Sequence, residues 1–178
     1  MKQYIIALLD KDSAKTIEAL TRHLQRKIKP RKKTSFYGVV IGIVEDSNPK
    51  DLELVLKDIL EKVRYFKLDV KGNIIYDKNL KTIGIDVNNF GYIRSLSRNI
   101  NTILDLKGFN IKYEQVENPQ LILYNGGNTK VLDTINNIFT DKDYNDIFRI
   151  DRLQVWKNFN FRKDSIVSNI NLDNPNII

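Results

Sequence analysis

Along this chain the hydrophobic positions follow a strand-like period in some stretches and a helical one in others. Tyr4 to Leu9 is a short, unbroken apolar run, the pattern of a buried strand. Asp12-Ser13 then offers a helix cap, Ile17, Leu20, Leu24 and Ile28 recur at helical spacing, and Pro30 stops the run. Phe36 to Val44 is rich in β-branched residues and predicts a central strand covered on both faces. Asn48-Pro49 sets a capping side chain before a proline at the first helical position, and Leu52, Val55, Leu56, Ile59, Leu60 and Val63 follow on one helical face. Phe66, Leu68 and Val70 alternate with charged residues, and after the Gly72-Asn73 turn the strand pattern resumes from Ile74 to Tyr76.

A second series repeats this order. Ile83, Ile85 and Val87 alternate as a strand, and Ile93, Leu96, Ile100, Ile103 and Leu104 form a helical face that ends near Gly108. A loop or short strand around Ile111 to Val116 leads to a compact apolar strand, Leu121 to Tyr124. Gly126-Gly127-Asn128 turns into a helix carrying Val131, Leu132, Ile135, Ile138 and Phe139. Phe148 and Ile150 fall out of phase with Leu153 and Val155, which predicts a bulge at Asp151-Arg152, and Ile166 to Leu172 closes the chain as a strand. Strand, helix, strand, helix, strand thus occurs over about residues 3–76 and again over about 81–156, with a closing strand over about 164–172. The expected fold is α+β: one domain over residues 1–178, built of two pseudo-symmetric lobes around a central cleft, each a small, mainly antiparallel sheet with two helices.

Composition narrows the chemistry. With 42% hydrophobic residues in 178, the chain can fill a core, which makes disorder a poor reading. It has no cysteine and a single histidine, His23, so disulfides, thiolate metal sites and any reaction needing two imidazoles from one chain are excluded. Apolar runs are far shorter than the roughly 20 residues of a bilayer span, and Asp10 and Lys11 interrupt the first of them, so no membrane association and a cytoplasmic location, in a cell or an infected host cell, are expected. The formal charge is +7, and between Ala19 and Val44 there is no acid, while Arg22, Arg26, Lys27, Lys29, Arg31, Lys32 and Lys33 all fall there. Such a patch favours a polyanion, either nucleic acid or an acidic protein surface, with a solvated helix end as the other reading. Abundant asparagine and isoleucine with scarce alanine suggest an AT-rich genome.

The opening Tyr4 to Asp10 with its following helix, and the closing Phe148 to Asn158 with the strand Ser165 to Leu172 after it, resemble the frame of the two-histidine phosphoesterases. That group includes RNA ligase-like 2′,3′-cyclic phosphodiesterases and 2′-5′ oligoadenylate phosphodiesterases. The resemblance implies two His-x-Thr/Ser motifs, one per lobe, each on a cleft strand where a spacing of two turns both side chains to one face. One histidine would act as base and the other as acid, while the hydroxyls hold the phosphate. On the matching strands, Gly38 and Val40 stand at the first motif, within Tyr37 to Ile43, and Gln120 and Ile122 at the second, within Asn118 to Tyr124. None of these four can do that work: glutamine does not titrate and the aliphatics offer no donor. His23, on the first helix, reads as a boundary or surface residue.

Other signals are weaker. Gly126-Gly127-Asn128-Thr129 before a helix could hold an anion on backbone amides but lacks P-loop spacing and its lysine. Tyr37, Tyr124 and Trp156 are candidates to stack on bases, although strand aromatics usually fill cores. Asp10, Asp46, Asp86 and Glu117 lack the spacing of a metal site and read as solvated strand ends. No catalytic residue, metal or cofactor is assigned. The expected ligand cleft comprises Tyr37, Gly38, Val40, Gln120, Ile122 and Tyr124, with Arg26, Lys27, Lys29, Arg31, Lys32 and Lys33 as the basic patch leading into it.

The leading expectation is a pseudoenzyme that binds a nucleotide, a cyclic or linear oligonucleotide or an RNA end without cutting it, and so sequesters it, a role that suits a viral or phage protein. The alternative is a regulatory factor that docks on another protein through the same scaffold. An active phosphodiesterase using unconventional residues comes last.

Overall fold

Asp10 leaves the first strand and at once caps the first helix, its Oδ1 accepting the Ser13 N–H at 2.8 Å. The helix therefore starts earlier than the Asp12-Ser13 cap read from sequence. The computed structural model describes residues 1–27, 37–87, 91–112, 119–125, 130–133, 145–159 and 163–172. In order, the elements are β1 (Lys2–Leu9), α1 (Lys11–Lys27), β2 (Gly38–Glu45), α2 (Pro49–Leu60), β3 (Phe66–Asp77), β4 (Thr82–Val87), α3 (Tyr92–Leu106), β5 (Asn110–Ile111), β6 (Gln120–Asn125), β7 (Asn145–Trp156) and β8 (Ile166–Asn171). Asn48 caps α2 as the sequence predicts, its side-chain oxygen accepting the Lys50 N–H at 2.9 Å. The helix expected from Gly126 onward is described only over 130–133, where it is helical.

The architecture is α+β with a mainly antiparallel sheet. Strands run in the order β1-β2-β6-β4-β3-β7-β8; β7 also pairs with β1, and β5 pairs with β2. The long β7 belongs to both lobes. Its first half, Asn145 to Ile150, pairs with β3, and its second half lies between β1 and β8. The predicted bulge separates the two halves: Leu8 faces Arg152 and Leu9 faces Ile150, which leaves Asp151 without an opposite residue. One lobe is thus β1, β2, β5, β8 and the end of β7; the other is β3, β4, β6 and the start of β7.

The register relates the two lobes. Between β1 and β2, Ile6 faces Val40 and Ile5 faces Gly42, so Ile41 bulges. Between β4 and β6, Gly84 faces Ile122 and Ile83 faces Tyr124, so Leu123 bulges in the same way. Gly38, Val40 and Ile41 therefore correspond to Gln120, Ile122 and Leu123. The pairing Ile6 with Gln154 likewise matches Gly84 with Ile75. The third strand of each series crosses over. β3 completes the sheet of the second series, pairing with β4, and β7 completes that of the first, pairing with β1, so the lobes in space interleave the segments 3–76 and 81–156.

The larger core lies between the sheet and the helices. It joins Ile5, Ala7 and Leu9 of β1, Val39 and Ile41 of β2, Leu121 and Leu123 of β6 and Ile150 of β7 with Ile17, Leu52, Leu56, Ile100 and Leu104 of the helices. α3 supplies polar partners where the bulge frees a carbonyl: Ser97 Oγ and Asn101 Nδ2 donate to the Ile41 oxygen at 2.7 and 3.1 Å. Tyr37 lies in this core too, its hydroxyl 3.0 Å from Thr21 Oγ1 on α1. Burial raises its pKa above the usual 10, partly opposed by the Thr21 hydrogen bond and aided by the Glu18 carboxylate. A raised pKa in the folded state means that stability is fully present below pH 10 and falls as the pH rises through the folded value. Tyr37→Phe should therefore shift the alkaline unfolding midpoint upward, measured by circular dichroism between about pH 9 and 12; an unchanged midpoint would show that the phenol stays protonated or that another group governs the transition. Among the described residues, no helix is long and apolar enough to cross a membrane.

Candidate functional site

A second, smaller apolar cluster covers the opposite face of the sheet, where the lobes meet. It contains Ile6, Leu8, Val40, Ile43, Ile122 and Trp156, with Tyr4, Leu80, Phe159 and Ile166 half-buried against it. The period of two explains its membership. Val39 and Leu121 point to the helices, so Gly38 with Val40 and Gln120 with Ile122 share this other face. The single pairing between β2 and β6 joins Val39 to Leu121, the middle residues of the two tripeptides. The sheet thus brings Gly38, Val40, Gln120 and Ile122 together about that pair, on strands from different lobes.

The positions differ in what fills them. At Gly38 a Cβ would run into the Ala7 carbonyl oxygen and lie 2.8 Å from Leu8 Cδ2 and 3.0 Å from Ile6 Cγ2. Aliphatic side chains of β1 therefore occupy the space a histidine would need. Val40 and Ile122 are 5% and 1% exposed. Gln120 is 4% exposed; its carboxamide lies over Gly84, where an added Cβ would meet Gln120 Oε1 at 3.0 Å. Its Nε2 donates to Thr82 Oγ1 at 3.1 Å, while its Oε1 is buried with no hydrogen-bond partner among the described residues. Gln120 is a polar residue in an apolar wall, and it ties β6 to β4, because Gly84 leaves a channel along which the side chain reaches Thr82.

The lobes contribute unequally to this face. Tyr4, Leu8 and Trp156 of the first correspond in register to Thr82, Asp86 and Asp77 of the second, so these three positions are apolar or aromatic in one half and polar in the other. Trp156 is fully buried and its Nε1 donates to Gln154 Oε1 at 2.9 Å. Gln154 Nε2 passes the chain to Asn169 Oδ1 at 2.9 Å, and Asn169 Nδ2 to Asn171 Oδ1 at 3.1 Å. Phe159 packs its ring 5.0 Å from that of Tyr4 and 6.4 Å from that of Trp156. Burial, with the Glu45 carboxylate nearby, raises the pKa of Tyr4.

Two residues of the expected cleft do not reach it. Tyr37 alternates with Gly38 and so points to the helices with Val39; Tyr124 is turned to the same side by the bulge at Leu123 and packs on the helix-side core. Trp156 lies on the right face but is too deeply buried to stack on a ligand itself. Arg26 and Lys27 end the backbone of α1, and Lys29, Arg31, Lys32 and Lys33 lie outside the described residues, as do Gly126 to Thr129 and Glu117. Asp10 caps α1, Asp46 accepts the terminal ammonium at 2.6 Å, and Asp86 faces Gln120 across the β4 and β6 ladder. Sequence reasoning missed Tyr4, Gln154 and Phe159. The first two are marked by period two, from Ile6 and Trp156; Phe159 sits in a turn, where no period exists.

A two-lobed α+β sheet whose two central strands meet at Val39 and Leu121 is a fold this chain shares with solved phosphoesterase structures. The chain is similar in structure to a phosphoesterase at a TM-score of 0.61 and 7% identity, over 97% of this chain and 98% of that one. It is similar to LigT of E. coli, solved in complex with ATP, at a TM-score of 0.54 and 8% identity over 98% and 100% of the two chains. Usb1 of Kluyveromyces marxianus, solved with uridine monophosphate, aligns at a TM-score of 0.50 and 12% identity over 96% and 98%. No family model and no curated protein matches the sequence.

Proposed function

We propose that this chain is a non-catalytic phosphoesterase-fold protein that binds a nucleotide, a cyclic or linear oligonucleotide or an RNA end on the face between its lobes and holds it intact. One observation carries the reading: the four positions gathered about the Val39 and Leu121 pair are Gly38, Val40, Gln120 and Ile122. None can transfer a proton at neutral pH, and none carries a hydroxyl for a phosphate oxygen. The ATP and uridine monophosphate held by two proteins of this fold set the class of ligand to try first. Thr82, Asp86 and Asp77 of the second lobe and the amides of Gln154 and Asn169 supply donors and acceptors around the apolar floor. Cytoplasmic sequestration, in a cell or in a host cell during infection, fits such a binder.

The basic segment is the proposed route for the phosphates. Neutralising Lys29, Arg31 and Lys32 together should weaken binding of a short single-stranded RNA and flatten the plot of log affinity against log salt by about 2. An unchanged slope would return these residues to a solvated loop. The direct test of the reading is calorimetric titration with uridine monophosphate and ATP, with mass spectrometry of small molecules released from freshly purified protein. Saturable binding of either nucleotide is the expected result; absence of both heat and released nucleotide would overturn it.

A further inference from the structure

We infer that β7, the strand both lobes share, carries an anion subsite in which Arg149 and Arg152 grip a phosphate group of the ligand. The inference rests on the nucleotide-binding reading and says where a phosphate is held. The resemblance would place it on hydroxyls at the positions of Val40 and Ile122, which are aliphatic and enclosed here, so the anion has to be held off the central strands. The bulge at Asp151 makes the pair. Phe148 and Ile150 point to the helix-side core, as do Leu153 and Val155, so Arg149 and Arg152 both lie on the opposite face. Three residues apart on a regular strand, they would point to opposite faces. The extra residue between Ile150, opposite Leu9, and Arg152, opposite Leu8, brings them to one. Through Leu8, Arg152 also shares a ladder row with Gly38.

Each guanidinium is fixed by contacts that leave donors free. Arg152 Nη1 donates to the Leu9 carbonyl oxygen at 3.0 Å and to Asp151 Oδ1 at 2.8 Å, which uses both of its hydrogens. Nε and Nη2 have no partner among the described residues and are not buried. Together they form the side edge of the group, two parallel N–H bonds spaced for two oxygens of one phosphate. Arg149 is exposed, and its Cζ lies 4.7 Å from the centre of the Tyr65 ring. Stacking fixes the plane of a guanidinium without using its in-plane N–H groups, and among the described residues no carboxylate pairs with this one. On β3, Lys67 stands opposite Arg149, and Asp69 stands opposite Ile147, further from the bulge. The positive end of this ladder is therefore the end at the arginine pair. The acid nearest to it, Asp151, is already engaged by Arg152. With the basic segment as the route for phosphates, this pair is where one of them comes to rest.

Calorimetric titration of the full chain with uridine monophosphate and with uridine, which lacks only the phosphate, is the test. Wild type should bind uridine monophosphate at least about tenfold more tightly than uridine, the effect of charge-assisted hydrogen bonds to one phosphate. Arg149→Ala, at an exposed side chain, should remove most of that difference and leave uridine affinity and the thermal midpoint unchanged. Arg152→Lys keeps the charge but not the fork, and should narrow the difference as well. A preference for uridine monophosphate that survives both replacements, or a uridine affinity that falls in step with it in Arg149→Ala, would overturn the subsite while leaving nucleotide binding intact. Wild type that binds neither uridine monophosphate nor ATP would overturn both.

Discussion

Gly38→Ala is expected to cost about 3 kcal/mol of stability, near the upper end for overpacking a filled core. The methyl group would meet a backbone oxygen, that of Ala7, as well as the Leu8 and Ile6 side chains, and a backbone atom cannot move by changing rotamer. β1 is held on both sides, by β2 and by β7, so the strand cannot shift without disturbing two ladders. Gly38→His should be worse still, so a histidine introduced at this position should unfold the protein. Urea denaturation followed by far-ultraviolet circular dichroism measures the change. A Gly38→Ala protein within about 0.5 kcal/mol of wild type would mean that the face has slack and is not the filled surface described here.

Trp156→Ala should cost a further class of contact, about 3–5 kcal/mol, as for other large aromatic side chains removed from a core. Trp156 is fully buried, it anchors the smaller cluster between Ile6, Leu8 and Ile122, and its indole N–H satisfies the buried Gln154 oxygen. Truncation therefore leaves both a cavity and an unpaired acceptor, and the two penalties add. Trp156→Phe keeps most of the volume and loses only the hydrogen bond, so it should fall near 1 kcal/mol. Because Trp156 is the chain's single tryptophan, wild-type emission should be blue-shifted and should move red in one step with unfolding. Equal stabilities for the two variants would show that the cluster does not depend on the ring.

Most of the described elements were legible in the sequence because they carry a clean period. The Asn48 cap, the alternation at Ile83 to Val87 and the phase change at Asp151 all describe local geometry that the residues dictate. The two central strands were legible as well, since Gly38 with Val40 and Gln120 with Ile122 follow from strand alternation once the resemblance selects those strands. The exchange of β3 and β7 between lobes was not, because both partners of such a crossover are ordinary amphipathic strands and pairing over a long sequence separation leaves no local mark. The faces of Tyr37 and Tyr124 were misjudged for different reasons. Tyr37 obeys the alternation that excludes it from the face of Gly38, whereas Tyr124 departs from alternation through a bulge at Leu123, which no turn residue announces. The filling of the face by Ile6, Leu8 and Trp156 depends on three strands meeting, and only the assembled sheet reveals it.

Binding without cleavage is the central claim, and one measurement addresses both halves of it. Binding of uridine monophosphate, a 2′,3′-cyclic nucleotide and a 2′-5′-linked oligoadenylate would be titrated by calorimetry, and each ligand would then be incubated with the protein, recovered and separated by chromatography. The account predicts saturable binding of at least one of these ligands and recovery of every one unchanged after long incubation. Product that accumulates in proportion to protein and persists in His23→Ala would contradict it, because a working proton-transfer site would then lie outside Gly38, Val40, Gln120 and Ile122.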